Sequence, residues 1–271
     1  MKLYKKRGGE MEYLQYRQTG EIGYITIDNM QEFNTLTLDL LEELDELLKR
    51  IAAAREVKTV VIEGSDKVFC AGHSLREIEE KTENEVLKLF QTCYRVMRTM
   101  RDMPQLVISK VKKAAVAAGC QLVAASDMAV ASEEAKFATP GINSGLFCST
   151  PAVFLSRNIG RKKAVEMLFT GNFITAQEAL QHGLVNKVVP AELLDEETKK
   201  LAKEVTKQSL NIIELGKRQF YQQIHMEDFQ ALNYATEVIA LNSKHPDAQE
   251  GIRAFFEKRK PVWNATKTTV N

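Results

Sequence analysis

Two short runs of small residues hold the groups in this sequence best suited to chemistry. One is Phe69-Cys70-Ala71-Gly72-His73-Ser74-Leu75. The other is Ala117-Ala118-Gly119-Cys120-Gln121-Leu122. Each lies between a predicted strand and a predicted helix. The first N–H groups of a helix lack intrahelical acceptors and the dipole there is positive, so such a run can aim backbone donors at one oxygen. Small residues let a ligand approach the backbone closely. Two fixed donors on a carbonyl oxygen would stabilise the enolate or tetrahedral oxyanion of an acyl thioester. Losing one such donor typically costs about 2.7–4 kcal/mol. Small residues between a strand and a helix also serve close packing, so either run alone is compatible with a structural role. The second run carries Gln121, an amide, where an acid would make the obvious proton-transfer group.

The elements that must position these runs read as alternating strands and helices. Tyr13–Arg17 and Ile22–Ile27 flank Thr19-Gly20 as a hairpin. Thr37 caps a helix over 38–54 with apolar Leu40, Leu41, Leu44, Leu47, Leu48 and Ile51 at helical spacing. Thr59–Ile62, Leu106–Val111 and Met128–Ala131 are strands, the first and last apolar enough to be buried on both faces. A long helix is predicted over 75–100, broken near Lys81-Thr82 and stopped by Pro104. The second run opens a helix over 119–125. An irregular stretch over 137–151 precedes short helices at 151–158, 162–169 and 176–182, and Val185–Val189 closes the sheet. From 191 onward the pattern is helical, over 191–207, 209–223, 228–243 and 247–258. The organisation expected is an α/β core over 12–190, a helical module over 191–263, and flexible tails at 1–11 and 264–271. Strand–helix alternation implies right-handed βαβ units, whose ligands gather where loops leave the strand ends. The two small-residue runs are therefore candidates to meet in one crevice.

Composition narrows the partners. With 271 residues, 37 Lys+Arg against 36 Asp+Glu and a net charge of +1, nothing suggests broad attraction to nucleic acid or to acidic membranes. No run approaches the ~18 apolar residues of a membrane helix. The four cysteines, Cys70, Cys93, Cys120 and Cys148, form neither C-x-x-C pairs nor zinc-site spacings with the four histidines. Scattered cysteines of this kind point to buried thiols in a reducing compartment, and a cytoplasmic location is expected.

Beyond the loops, the chain resembles the crotonase (enoyl-CoA hydratase/isomerase) superfamily. The likeness is carried by 69–75 and 118–132, by Phe137-Ala138-Thr139-Pro140-Gly141-Ile142-Asn143-Ser144-Gly145-Leu146, and by 170–189 and 249–261. It spans about 12–263. The resemblance implies a core of stacked ββα turns, trimers often paired into hexamers through the helical module, and an acyl-CoA ligand. Coenzyme A enters as part of the substrate, with no separate cofactor or metal. The resemblance places the oxyanion donors at the His73 and Ala118 N–H groups, with Gly119 adjacent. Phe69, Ala71, Gly72, Ser74 and Leu75 complete the first loop. Lys258, in the run Lys258-Arg259-Lys260, is the candidate to reach the CoA phosphates, here or in a neighbouring subunit; the other reading of that run is a solvated charge cluster.

The departures from the family pattern matter most. Hydratases use two glutamates to position and split water, and these fall at Gln121 and Gly141. A third position, aspartate in some members, is Ser149. An amide can hold a water but cannot take its proton, and glycine can do neither. General acid–base groups contribute about 10²–10⁴-fold, so the usual hydration route is expected to be badly impaired. Restoring glutamate at both positions should raise hydration. The function expected is an acyl-CoA-binding enzyme of the family with a non-standard site; the alternatives are an inactive acyl-CoA-binding protein or a thioester hydrolase. The His73 backbone rather than its ring is implicated. Cys70, Cys120 and Cys148 are expected to be small pocket thiols, Asp127 to order the next strand, and Lys112-Lys113 to be a solvated pair.

Overall fold

A glycine at φ +59°, Gly20, turns the chain between β1 (Leu14–Thr19) and β2 (Ile22–Ile27), which pair antiparallel. The structure, a computed structural model, describes residues 11–263. The expected tails at 1–11 and 264–271 lie outside the described residues, apart from Met11, which packs partly buried against the core.

Helix α1 (Leu38–Ala54) starts where the Thr37 side chain accepts from Leu40 N–H, and it buries the six leucine and isoleucine positions marked by the sequence. After β3 (Thr59–Glu63) come α2 (Leu75–Glu80) and α3 (Glu83–Asp102). The break between them falls at Lys81-Thr82, as expected, because a Thr82–Glu85 capping box starts a new helix there. Strands β4 (Leu106–Val111) and β5 (Ala114–Val116) lead into α4 (Ala118–Ala125). Next are β6 (Met128–Ser132), β7 (Lys136–Ala138), α5 (Ser149–Asn158), α6 (Arg161–Thr170), β8 (Ile174–Thr175), α7 (Ala176–Gln181) and β9 (Lys187–Val189). Helices α8 (Leu194–Thr206), α9 (Leu210–Gln223), α10 (Asp228–Asn242) and α11 (Pro246–Phe256) follow.

Six strands form one sheet in the order β1-β2-β3-β4-β6-β9, parallel from β2 onward. A second, narrow sheet runs β5-β7-β8. Two single bridges, Leu36 to His73 and Cys70 to Ala115, extend it toward the N-terminus. Each turn of the chain thus gives one strand to the wide sheet, a short segment to the narrow one, and then a helix. This is the stacked ββα arrangement the resemblance implied. The short strands of the narrow sheet, two or three residues each, went unread in the sequence because so few residues carry no period.

Helix α8 covers the outer face of the wide sheet, joining Leu194 and Ala202 to Ile22, Tyr24, Val61, Ile108 and Val130. Helix α9 is tied down by a buried polar cluster. Asp127 Oδ2 accepts from Val107 N–H at 2.7 Å and from Lys217 Nζ at 2.8 Å, and Tyr221 O–H donates to Oδ1 at 2.7 Å. Lys217 Nζ also donates to the carbonyls of Met100 and Gln105 at 2.6 and 2.7 Å. The Arg101 guanidinium lies 3.8 Å from the Tyr221 ring centroid. Asp127 therefore fixes the start of β4, not the following strand β6 as expected, and also anchors a helix 90 residues downstream. The Lys112-Lys113 pair is solvated, matched to Asp66 and Glu134 at 2.6 Å each. Among the described residues no helix is long and apolar enough to cross a membrane.

Candidate active site

The two small-residue loops do meet, and glycines are the reason. Gly72 has φ +100°, and a Cβ there would lie 2.9 Å from Ala117 Cβ and 3.4 Å from Ala118 N. A Cβ on Gly119 would overlap the Cys70 carbonyl oxygen. Each loop thus carries a glycine where the other presses against it, so close packing and proximity of the donors are one requirement. The contact is reinforced by main-chain bonds: Phe69 N–H to Ala114 O at 3.0 Å, and Val116 N–H to Cys70 O at 2.9 Å.

A third segment braces the first loop from behind. Asn34, fully buried at φ +55°, donates to the carbonyls of Val68 and Phe69 and accepts from Asn29 N–H at 2.9 Å. Leu36 N–H donates to Gly72 O at 2.7 Å, and Ala71 N–H to Phe33 O at 3.2 Å. With the amides of Ala71 and Gly72 engaged, the latter by the Cys70 sulfur, the next N–H in line is that of His73. On the second loop, Ala117 holds φ +48° and ψ −114° without being glycine, a strain of about 1–3 kcal/mol. Its N–H is spent on Ala138 O at 2.8 Å, and Ala118 opens α4 as the first helical N–H. Neither the His73 nor the Ala118 N–H finds a carbonyl partner among the described residues.

Both loops border a cavity of about 430 Å³. Ala71, His73 and Leu75 of the first loop and Ala117 and Ala118 of the second face Ile78 and Phe90 and the wall from Pro140 to Pro151, including Gly141, Cys148 and Ser149. Among the described residues no charged one is on this wall. The His73 ring packs edge-on against Phe90, with centroids 4.7 Å apart, and its enclosed Nε2 has no hydrogen-bond partner. Burial pushes this imidazole down to about 4, so it is neutral at physiological pH.

Several expected site residues sit elsewhere. Phe69 is core, Gly72 and Gly119 form the loop contact, and Ser74 caps α2 by accepting from Glu77 N–H at 3.4 Å. Gln121 is 2% exposed and off the cavity wall, one turn into α4, with its Oε1 unpaired. Ser149 is on the wall and exposed, its Oγ donating to Phe147 O at 3.3 Å. Lys258 stands beyond the end of α11 at φ +53°, away from the wall, while neighbouring Arg259 is matched to Glu250 and Glu257. Cys70 and Cys120 are fully buried off the wall, and burial pushes both thiols up to about 12; of the three expected pocket thiols only Cys148 lines the cavity. Position 141 has no room for an acid. A Cβ there would overlap the Leu146 carbonyl oxygen and lie 2.8 Å from Cys148 Sγ, so glutamate cannot be restored at 141 without moving the loop.

Residues 17–266 match the profile of the enoyl-CoA hydratase/isomerase family. The chain belongs to that family. It is 46% identical over 214 residues to mouse enoyl-CoA hydratase domain-containing protein 3, mitochondrial, covering 79% of this chain and 71% of the relative. The crystal structure of human enoyl Coenzyme A hydratase domain-containing protein 3 superposes with a TM-score of 0.90 at 44% identity, covering 93% of this chain and all of that one. A Mycobacterium smegmatis enoyl-CoA hydratase structure gives 0.90 at 42%, over 93% and 99%. The mouse, rat and human relatives named as mitochondrial overturn the expected cytoplasmic location. Reduced, buried thiols argue against an oxidising compartment but do not choose among reducing ones.

Proposed function

We propose that this protein binds an acyl-CoA thioester with its carbonyl oxygen between the His73 and Ala118 N–H groups, and stabilises the enolate or oxyanion that forms there. The observation that carries the reading is the pair of uncommitted backbone donors on touching loops at the edge of an uncharged cavity. Two such donors supply transition-state stabilisation of the oxyanion-hole kind. The acyl chain would run along Leu75, Ile78, Phe90 and Phe147.

The catalytic repertoire is narrower than hydration by paired carboxylates. Gln121 takes no proton and lies buried off the cavity wall, and position 141 has no room for a side chain without moving the loop. An enzyme of this family with a non-standard site follows, in which enolate stabilisation outlasts water-splitting. A thioester hydrolase finds less support, since among the described residues no carboxylate lies on the wall to activate Ser149. Exposed Phe229, Leu232, Ile239 and Leu241 on α10, and Ile252, Phe255 and Phe256 on α11, support a homotrimer or hexamer built through the helical module. In such an assembly Lys258 would approach the CoA phosphates of a neighbour. The names of the vertebrate relatives support a mitochondrial place of action.

The test gives purified protein crotonyl-CoA and longer enoyl-CoAs, following loss of the conjugated double bond and release of free CoA, with butyryl-CoA binding measured by calorimetry. Binding with little turnover is expected. Fast hydration over many equivalents would overturn the claim that Gln121 and Gly141 disable the usual route. Failure of butyryl-CoA to bind would overturn the acyl-thioester reading.

A further inference from the structure

We propose that Cys148 is a covalent capture site for α,β-unsaturated acyl thioesters, its sulfur adding to the β-carbon of an enoyl-CoA held in the cavity. This rests on the acyl-thioester reading above. The cavity wall carries His73, Cys148 and the hydroxyls of Ser144, Ser149 and Thr150 as its nucleophilic side chains. The Ser149 hydroxyl is committed to a carbonyl. Conjugate addition favours a soft, polarisable nucleophile, and among the described residues Cys148 is the one sulfur on this wall.

Its placement is specific. Sγ lies 2.8 Å from where a side chain would begin at 141, so the sulfur fills the space that glycine leaves open, and the Gly141 N–H points at it. The residue sits at the N-cap of the ten-residue helix α5, where no side chain caps the first turn. Across the cavity are the donors that would receive the resulting charge, the His73 and Ala118 N–H groups. Independently, the His73 imidazole borders the same cavity with a buried Nε2 that satisfies no protein group.

In the step, the S–Cβ bond forms as the Cα=Cβ π pair moves to the thioester oxygen, giving an enolate under the two N–H donors. The thiol proton ends on Cα. The product is a β-thioether of the intact acyl-CoA, with no oxidant, reductant or leaving group. Burial holds Cys148 as the thiol, so the proton has to leave the sulfur as the S–Cβ bond forms.

The experiment incubates wild-type protein with crotonyl-CoA, quenches in acid, and reads intact mass and modified peptides. A mass gain of one crotonyl-CoA per chain on the Cys148 peptide is expected. Butyryl-CoA, which has no double bond, should leave no adduct and should protect against crotonyl-CoA. Cys148→Ser and Cys148→Ala should lose the adduct while still binding butyryl-CoA. An unmodified protein that binds butyryl-CoA would overturn the inference and leave the functional proposal standing. So would modification confined to Cys70, Cys93 or Cys120. Absence of butyryl-CoA binding would overturn both. Should either variant fail to fold, peptide mapping of the wild type decides the matter alone.

Discussion

Two buried polar regions of this protein are built to opposite rules. Around Asp127 the charged and hydroxyl groups are answered: both carboxylate oxygens, the Lys217 ammonium and the Tyr221 hydroxyl have partners within 2.8 Å. Around the two loops, polar groups are left unanswered: the His73 and Ala118 N–H groups, His73 Nε2 and Gln121 Oε1. An unsatisfied buried polar atom costs about 1–3 kcal/mol. The first region holds the fold together. The second spends stability to keep donors and acceptors free for something that is not protein, and a strained Ala117 adds to that cost.

The comparison can be broken at either end. The largest effect is expected at Lys217→Met, which leaves Asp127 buried without its ion-pair partner. Breaking a buried pair costs about 3–5 kcal/mol, read as a lower midpoint in urea denaturation. An unchanged midpoint would mean that the cluster does not anchor α9.

His73 should make stability pH-dependent. Its folded value, about 4, lies below the ordinary 6.5, so between those values the unfolded chain binds more protons than the folded one. Stability from the neutral ring is fully present at pH 7, falls as pH drops through 6.5, and levels off below about 4, a loss of roughly 3 kcal/mol in all. His73→Gln should flatten that limb of the stability profile; an identical acid limb would place the ring outside the enclosed environment.

Smaller again is Gly119→Ala, whose Cβ overlaps the Cys70 carbonyl oxygen. Prising the loops apart should cost about 1–3 kcal/mol and weaken butyryl-CoA binding together with stability. Smallest is Gln121→Met. Removing an amide whose buried Oε1 is unpaired should stabilise the free protein by about 1 kcal/mol, read as a higher midpoint in urea denaturation. If stability falls instead, Gln121 Oε1 has a partner in solution and belongs with the Asp127 type of region.

Much of this was legible from local chemistry. Helix α1, the break at Lys81-Thr82, the strand runs and the two glycine-bearing loops all follow from spacing within a few residues. The brace from Asn34 was not legible, because its role depends on carbonyls 34 and 35 residues away. Lys217 gave no signal as a buried cation, because an isolated lysine in a helical pattern reads as solvated. The pocket thiols could not be sorted by type alone, since one lines the cavity while two are sealed in the core.

By itself the sequence determined which groups exist: small residues at the loop ends, an amide at 121, no side chain at 141, and an alternation that makes parallel βαβ units. Side-chain chemistry and short-range periodicity are properties of the chain alone. Only the tertiary structure decided which of those groups are used up. Whether an N–H is free, whether an imidazole is held neutral, and whether a sulfur fills the gap beside a glycine depend on neighbours distant in sequence. Position 141 shows the difference: the sequence records that an acid is missing, while the packing of Leu146 and Cys148 against Gly141 leaves no space for one.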